Sequence, residues 1–309
     1  MKRDLINMQD LSADEIAGLL KLAIRLKKRE INAGEKLKGK TLALIFQKPS
    51  NRTRISFEVG IYQLGGNCLY LAPEEINLGK RESTADVAKT ISRYLDGVVA
   101  RTFSHDDIVE LGRCATIPII NGLSDLDHPC QALADLMTIQ ERFQTLKGRT
   151  LAYVGDGNNV CHSLMIASAL TGMNIHVATP EGYEPKSEVI DIARKFAAKS
   201  GAAVKVMRDP KEAVTKAHII YTDTWTSMGQ EDEAEMRERI FSDYQVNAAL
   251  ASRADKNYGF MHCLPAHRGQ EVTAEIIDGP NSFVFDQAEN RLHVQKAILI
   301  YLLCGTYQI

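Results

Sequence analysis

The chain of 309 residues has no excess of either charge, few aromatic residues (6%), no C-x-x-C pair and no long apolar run. Each absence removes a class of function. Lys and Arg number 37 against 39 Asp and Glu, so there is no basic surplus of the kind that holds nucleic acid or an acidic membrane surface. The longest apolar stretch, Ala297–Cys304, is far shorter than the roughly 20 residues that cross a bilayer. The opening Met1-Lys2-Arg3-Asp4 soon meets Asp10, Asp14 and Glu15 instead of an apolar segment, so no signal peptide is expected. Six cysteines lie scattered at 68, 114, 130, 161, 263 and 304, a pattern that specifies no disulfide framework. His262 and His267 beside Cys263 match no standard zinc spacing, so no metal is expected. The segment Ser50–Arg54 contains no Gly-Lys-Ser/Thr and so is not a phosphate loop of that kind. The bounds describe a soluble, cytoplasmic chain of about two domains, at roughly 150 residues each, with enough apolar residues to fill two cores.

What is present is an alternation of short apolar runs with amphipathic stretches. Ser12 and Glu15 have capping-box spacing, and Ile16, Leu19, Leu20, Ala23 and Ile24 form one apolar stripe, so a helix opens the chain. Strands are expected at Thr41–Phe46, Asn67–Leu71, Gly97–Arg101 and Ile117–Ile120. Helices are expected at Arg52–Leu64, Thr84–Tyr94, Asp106–Cys114 and Gln131–Phe143. After a polar pause at Leu146–Arg149 the rhythm restarts, with strands at Thr150–Val154, Asn174–Ala178, Val204–Met207, Ile219–Thr222, Tyr258–Met261 and Ser282–Phe285. The pattern predicts an α/β protein of two doubly wound parallel-sheet domains, residues 1–145 and 146–287. The apolar last helix, 288–309, is expected to pack back on the first domain.

In open α/β sheets ligands bind beyond the carboxyl ends of the strands. Those positions here carry Lys48–Arg54, Arg101, Asp127–Gln131, Asp156–Asn159, Asp223–Gly229 and His262–Pro265, which are expected to gather in a cleft between the domains. Ser50–Arg54 puts hydroxyls, guanidinium groups and unpaired N–H groups at a helix start, a combination that suits a phosphate; the plain alternative is a helix capped by Ser50. Gly155-Asp156-Gly157 resembles a dinucleotide loop, but Val160 stands where the third glycine is needed. His128 before Pro129 is expected at a helix mouth with Gln131.

These segments together resemble the aspartate/ornithine carbamoyltransferase superfamily over nearly the whole chain. Ser50-Asn51-Arg52-Thr53-Arg54 and His128-Pro129-Cys130-Gln131 are similar to the superfamily's motifs, and Ser227-Met228-Gly229 with His262-Cys263-Leu264-Pro265 to those of the ornithine branch. The resemblance implies transfer of a carbamoyl group from carbamoyl phosphate to ornithine, with no cofactor. It implies that Ser50, Asn51, Arg52 and Thr53 hold the phosphate, joined by Pro129 and Cys130, while Arg101, His128 and Gln131 face the carbamoyl group. Cys263, Leu264 and Arg291 would close the site from the second domain, and Asn159, Asp223, Ser227 and Met228 would hold ornithine. Arg101, His128, Asp223 and Cys263 are the candidate catalytic residues. His128, if protonated, would favour phosphate at acid pH. The family's usual trimer would bring Asn77 to a neighbour's site. Asn51 and Asn77 depart from the family's Thr and Gln. Rival expectations are a sister enzyme using putrescine or an N-acylornithine, an NAD-dependent dehydrogenase, and a non-catalytic binding protein.

Overall fold

The computed structural model describes residues 2–76, 78, 82–227, 229 and 231–307. In chain order the regular elements begin with α1 (Ala13–Lys27), β1 (Thr41–Phe46), α2 (Asn51–Gln63), β2 (Asn67–Leu71), α3 (Pro73–Ile76) and α4 (Thr84–Ile91). Then come β3 (Gly97–Arg101), α5 (His105–Cys114), β4 (Ile119–Leu123), α6 (Pro129–Phe143), β5 (Thr150–Val154), α7 (Asn159–Thr171) and β6 (Asn174–Ala178). The series closes with α8 (Ser187–Ser200), β7 (Val204–Met207), α9 (Pro210–Val214), β8 (Ile219–Thr222), α10 (Ala234–Phe241), α11 (Ala248–Ala251), β9 (Gly259–His262), α12 (Ala274–Ile277) and α13 (Val284–Cys304). The chain divides into two compact units, one of Met1–Met137 with Glu289–Ile309, the other of Thr138–Ala288.

The first unit holds a parallel sheet of strand order β2-β1-β3-β4. β1 is buried from Leu42 to Phe46, which is why it reads as a continuous apolar run and not an alternation. One face packs Ala43, Ile45, Val98 and Ala100 against Val87 and Ala88 of α4 and Ile108 and Leu111 of α5. Opposite Ala100 and Arg101 the register of β4 slips by one residue, leaving Gly122 as the extra residue. A Cβ there would stand 3.2 Å from the Ala100 carbonyl and 3.6 Å from the Thr53 methyl, so the bare backbone lets the first turn of α2 close onto the strand ends.

The second unit holds a parallel sheet of order β7-β6-β5-β8-β9. α7 is buried along Val160–Ala169 and apolar almost all round, as a helix enclosed on every side must be. Its entry requires Gly157, where a Cβ would fall 2.2 Å from the Pro185 nitrogen. Ala152, Val154, Ile220 and Phe260 of the sheet pack with Phe241 and Val246.

Three expected elements differ. The strand placed at Ile117–Ile120 runs from Ile119 to Leu123; Pro118 has no N–H for the ladder and offers only its carbonyl, to Val98. The helix placed over Thr84–Tyr94 ends at Ile91. Ser282–Phe285 is no strand: Ser282 makes a single bridge to Phe260, and from Val284 the chain is already in α13, because helical bonding beginning at Val284 leaves too few residues for a ladder.

Candidate functional site

Strand order sets where ligands can sit. In the first sheet the chain leaves β1 in one direction for β2 and returns on the other side as β3, and in the second it does the same at β5 and β8. Crevices outside the carboxyl ends open at such reversals. Gln47–Ser50 and Arg101 lie at the first reversal, and Gly155–Asn158 and Asp223 at the second.

In the first unit Ser50 caps α2 with extended backbone (φ −160°), its hydroxyl accepting from the Thr53 N–H at 3.4 Å. Asn51 and Arg52 are exposed in the first turn. Thr53 is buried, and its hydroxyl oxygen accepts from Arg291 Nη2 at 3.0 Å. The other end of that guanidinium donates from Nη1 to Gln131 Oε1 at 2.5 Å, and Gln131 Nε2 donates to Asp135 Oδ1 at 2.8 Å. Gln131 therefore spans Arg291 and Asp135, one helical turn on. Arg54 points elsewhere, bonded to Glu58 at 2.8 Å and lying 3.8 Å from the Tyr70 ring centroid.

His128 is the centre of this cluster. Burial, followed by the guanidinium groups of Arg291, Arg101 and Arg52, holds its imidazole well below the ordinary histidine value. These causes favour the neutral ring over the protonated one: a fourth positive charge beside three guanidinium groups at a buried position is too costly. A neutral imidazole still has one N–H to donate. Pro129 opens α6. Cys130 Sγ turns to the Asn121 carbonyl at 3.4 Å, and burial pushes its thiol up to about 12, so it packs against β4. Arg291 was expected from the second domain. It belongs to the first unit instead, since α13 joins that unit from Glu289 onward.

In the second unit Asp223, only 7% exposed, follows β8. Its Oδ2 accepts from Asn158 Nδ2 at 2.8 Å, and its Oδ1 accepts from Cys263 Sγ at 2.9 Å and from the Thr224 N–H at 2.8 Å. Asn158 caps α7, with Oδ1 accepting from the N–H groups of Val160 and Cys161 and from the Tyr153 hydroxyl at 3.2 Å. One amide thus fixes both the helix start and the carboxylate. Asn159 is the first residue of α7, and Ser227 is half-buried beyond Asp223. Asn77 and Met228 lie outside the described residues.

Leu264 adopts a left-handed backbone (φ 59°), a strained conformation for a branched residue. Its N–H donates to His262 Nδ1 at 2.9 Å, while His262 Nε2 faces Glu271 Oε1 at 3.2 Å in a fully buried pair. Burial alone would raise the Glu271 carboxyl, but the contacts from His262 and the His267 N–H outweigh it and hold it below the usual value. Asp223, His262 and Cys263 each bring one donor atom within 4.8 Å of the others. Both His262 nitrogens are already engaged, however, so this ring anchors the loop and does not fit a metal-ligand role.

Sequence reasoning named Asp156 and Asn158 only as strand-end residues and passed over Asp135, Glu271 and Arg237; Asp156 Oδ2 and Arg237 Nη1 lie 2.9 Å apart in a buried setting. Asn158 had a signal, an amide residue at a helix start, and so did Asp135, four residues from Gln131 on one helix face. Glu271 and Arg237 also have partners four residues away, His267 and Glu233, but their buried partners, His262 and Asp156, come from other elements and gave no local signal.

Two family models match the chain: the aspartate/ornithine carbamoyltransferase carbamoyl-P binding domain over residues 3–141, and the Asp/Orn binding domain over residues 147–302. The chain belongs to the aspartate/ornithine carbamoyltransferase family. It is 55% identical over 305 residues to the ornithine carbamoyltransferase of Thermococcus kodakarensis, covering 98% of this chain and 97% of that one. It is 54% identical to the anabolic ornithine carbamoyltransferase of Pyrococcus furiosus, covering 98% and 97%. The solved ornithine carbamoyltransferase of Pyrococcus furiosus superposes with a TM-score of 0.96 at 53% identity, over 99% of this chain and 98% of that one. Family membership accounts for both parallel sheets. Among the described residues no helix is long and apolar enough to cross a membrane.

Proposed function

We propose that this chain transfers the carbamoyl group of carbamoyl phosphate to the δ-amine of L-ornithine, giving L-citrulline and phosphate. The observation that carries the reading is the buried His128 at the mouth of α6, with the guanidinium groups of Arg291, Arg101 and Arg52, the last in the first turn of α2, close enough to act on it. Fixed positive charge there suits a phosphate and an oxyanion at once. Ser50, Asn51, Arg52 and Thr53 take the phosphate, with Pro129 and Cys130 shaping the start of α6 behind it. Arg101 and the His128 N–H take the carbamoyl oxygen, and Gln131 orients Arg291. In the second unit Asp223, Asn159, Ser227 and Met228 hold the amino acid, with Cys263 and Leu264 on the adjoining loop.

The amine has a lysine-like value of ~10.4 and must lose a proton before it attacks. Its lone pair then forms the C–N bond while the carbonyl π electrons move to oxygen. That developing charge meets donors already in place, which is usually the largest catalytic contribution. Collapse re-forms the carbonyl and breaks the C–O bond, its electron pair leaving with phosphate beside Arg52 and Arg291. The amine's remaining surplus proton leaves toward the Asp223 and Cys263 pair.

We also propose a homotrimer in the cytoplasm. Ile55, Val59 and Tyr62 line up at helical spacing on α2 and, with Leu69 on the edge strand β2, are exposed, an apolar face that a second copy would cover. No two of the six cysteines are joined in a disulfide, as a reducing compartment leaves them. The deciding experiment is citrulline formation from carbamoyl phosphate, with ornithine compared against putrescine, N-acetylornithine and aspartate. Preference for putrescine or N-acetylornithine would transfer the reading to a sister enzyme, and no turnover with any amine would overturn it. Sedimentation as a monomer would overturn the trimer.

A further inference from the structure

The first unit carries a groove of about 610 Å³ beside α13, at the carboxyl ends of α1 and α2. Ser50 and Gln63 stand at opposite ends of α2, roughly 20 Å apart at 1.5 Å per residue, so the groove is well removed from the cluster around His128. Its polar wall holds three cations, Lys27 at the end of α1, Arg29 two residues beyond it and Lys296 on α13, with His293, Asn32 and Gln63 beside them and Glu289 as the one carboxylate lining it.

The cations are poorly matched by what surrounds them. Lys296 is 7% exposed, and its Nζ donates to a neutral amide, Gln63 Oε1, at 2.9 Å. Burial and the Arg29 guanidinium both push its ammonium below the usual lysine value. Arg29 has no ion pair among the described residues, and its left-handed backbone (φ 56°) is one that favours glycine. Lys27 donates to Asn290 Oδ1 at 2.8 Å and lies 3.8 Å from Glu289. The Glu289 side chain, 53% exposed, also lies 3.4 Å from His293 Nε2, so the cations left without a carboxylate among the described residues are Arg29 and Lys296. Like charges gathered against apolar wall residues (Leu26, Leu64, Leu292) are costly unless an anion joins them.

We propose that this groove binds a small tetrahedral dianion, free phosphate or a phosphate monoester, between Arg29 and Lys296, at a site distinct from that for carbamoyl phosphate. Arg29 supplies a fork that matches two oxygens and Lys296 a compact charge. The groups facing His293 are Lys27 and Arg29 from α1, Gln63 from α2, and Glu289 and Lys296 from its own helix. Burial, Lys296 and Lys27 hold the His293 ring below its ordinary value, opposed by Glu289. A bound anion reverses that push, so the ring takes up a proton on binding and affinity rises as pH falls, by no more than about tenfold per pH unit for one proton.

Sulfate is a suitable probe because it does not titrate in this range. Equilibrium dialysis of labelled sulfate against the full chain is expected to show two sites. Arg52→Ala removes one and leaves the other. Arg29→Ala, at an exposed position that spares the core, removes the second and leaves citrulline formation unchanged; Lys296→Met does the same. Affinity of the second site rises between pH 8 and pH 6. Its displacement by inorganic phosphate alone identifies the free ion, and displacement also by glycerol 2-phosphate identifies a monoester. A single sulfate per chain, a second site indifferent to Arg29→Ala, or one displaced by neither phosphate compound would overturn the proposal. Each of these outcomes is independent of whether the chain makes citrulline.

Discussion

The two clusters stand at equivalent places, each at the strand-order reversal of a parallel sheet, yet their chemistry is opposite. In the first unit three guanidinium groups surround an imidazole that burial and those same charges keep neutral. In the second a buried carboxylate is held by an amide, a thiol and a backbone N–H, all uncharged. The sheet supplies only a position, and the residues that follow its strands choose the sign. A site of fixed positive charge suits a phosphate and an oxyanion, whereas a single anchored carboxylate suits an ammonium group. The comparison can be broken from either side.

The largest expected effect is at Asp223. Asp223→Ala should weaken kcat/KM for ornithine by about 2–5 kcal/mol, the cost of removing one partner of a buried charge pair. Putrescine, which has no α-ammonium, should lose less, and carbamoyl phosphate affinity should hardly move. Steady-state kinetics with both amines, beside thermal melting, decide it; an equal fall for both with a lower Tm would make Asp223 a loop-holding residue only. On the cationic side, Arg101→Ala should lower turnover by ~10²–10³-fold with the fold retained by circular dichroism. Near-normal turnover in that variant would remove Arg101 from the mechanism.

Asn158→Ala should come next, because the amide serves two groups. Loss of the α7 cap should cost about 1 kcal/mol of stability, and the released carboxylate should weaken ornithine while leaving carbamoyl phosphate unaffected. Normal ornithine kinetics at reduced Tm would leave the cap as the amide's whole role.

The smallest effect is a change of slope. His128 is neutral in the folded chain, but an unfolded chain binds a proton there once pH falls below about 6.5. Its contribution to stability is therefore present above that pH and is lost on acidification. His128→Gln should remove that loss, by at most about 1.4 kcal/mol per pH unit, when urea unfolding is followed from about pH 7.5 to about pH 5.5. An unchanged slope would mean that the native ring takes up a proton, and the contrast between the two clusters would lose its neutral centre.

The rhythm of strands and helices was legible because parallel strands buried on both faces must be short apolar runs, as Leu42–Phe46 and Leu151–Val154 are. Edges were less legible where a local feature competed with the pattern. Pro118 delayed β4, and helical bonding from Val284 pre-empted a strand at Ser282. The motifs around Ser50, His128, Asp223 and Cys263 stood out because polar residues cluster at strand ends for few reasons other than binding.

The sequence by itself determined the α/β class, most of the strands, and which polar segments follow them, since periodicity and local residue type are properties of neighbours along the chain. Only the tertiary structure decided the state of His128, the pairing of Arg291 with Thr53 and Gln131, and the hold of Asn158 and Cys263 on Asp223. Arg291 and Thr53 are separated by 238 residues. Burial and the charges brought near by folding set a protonation state, and neither exists until distant segments are packed together.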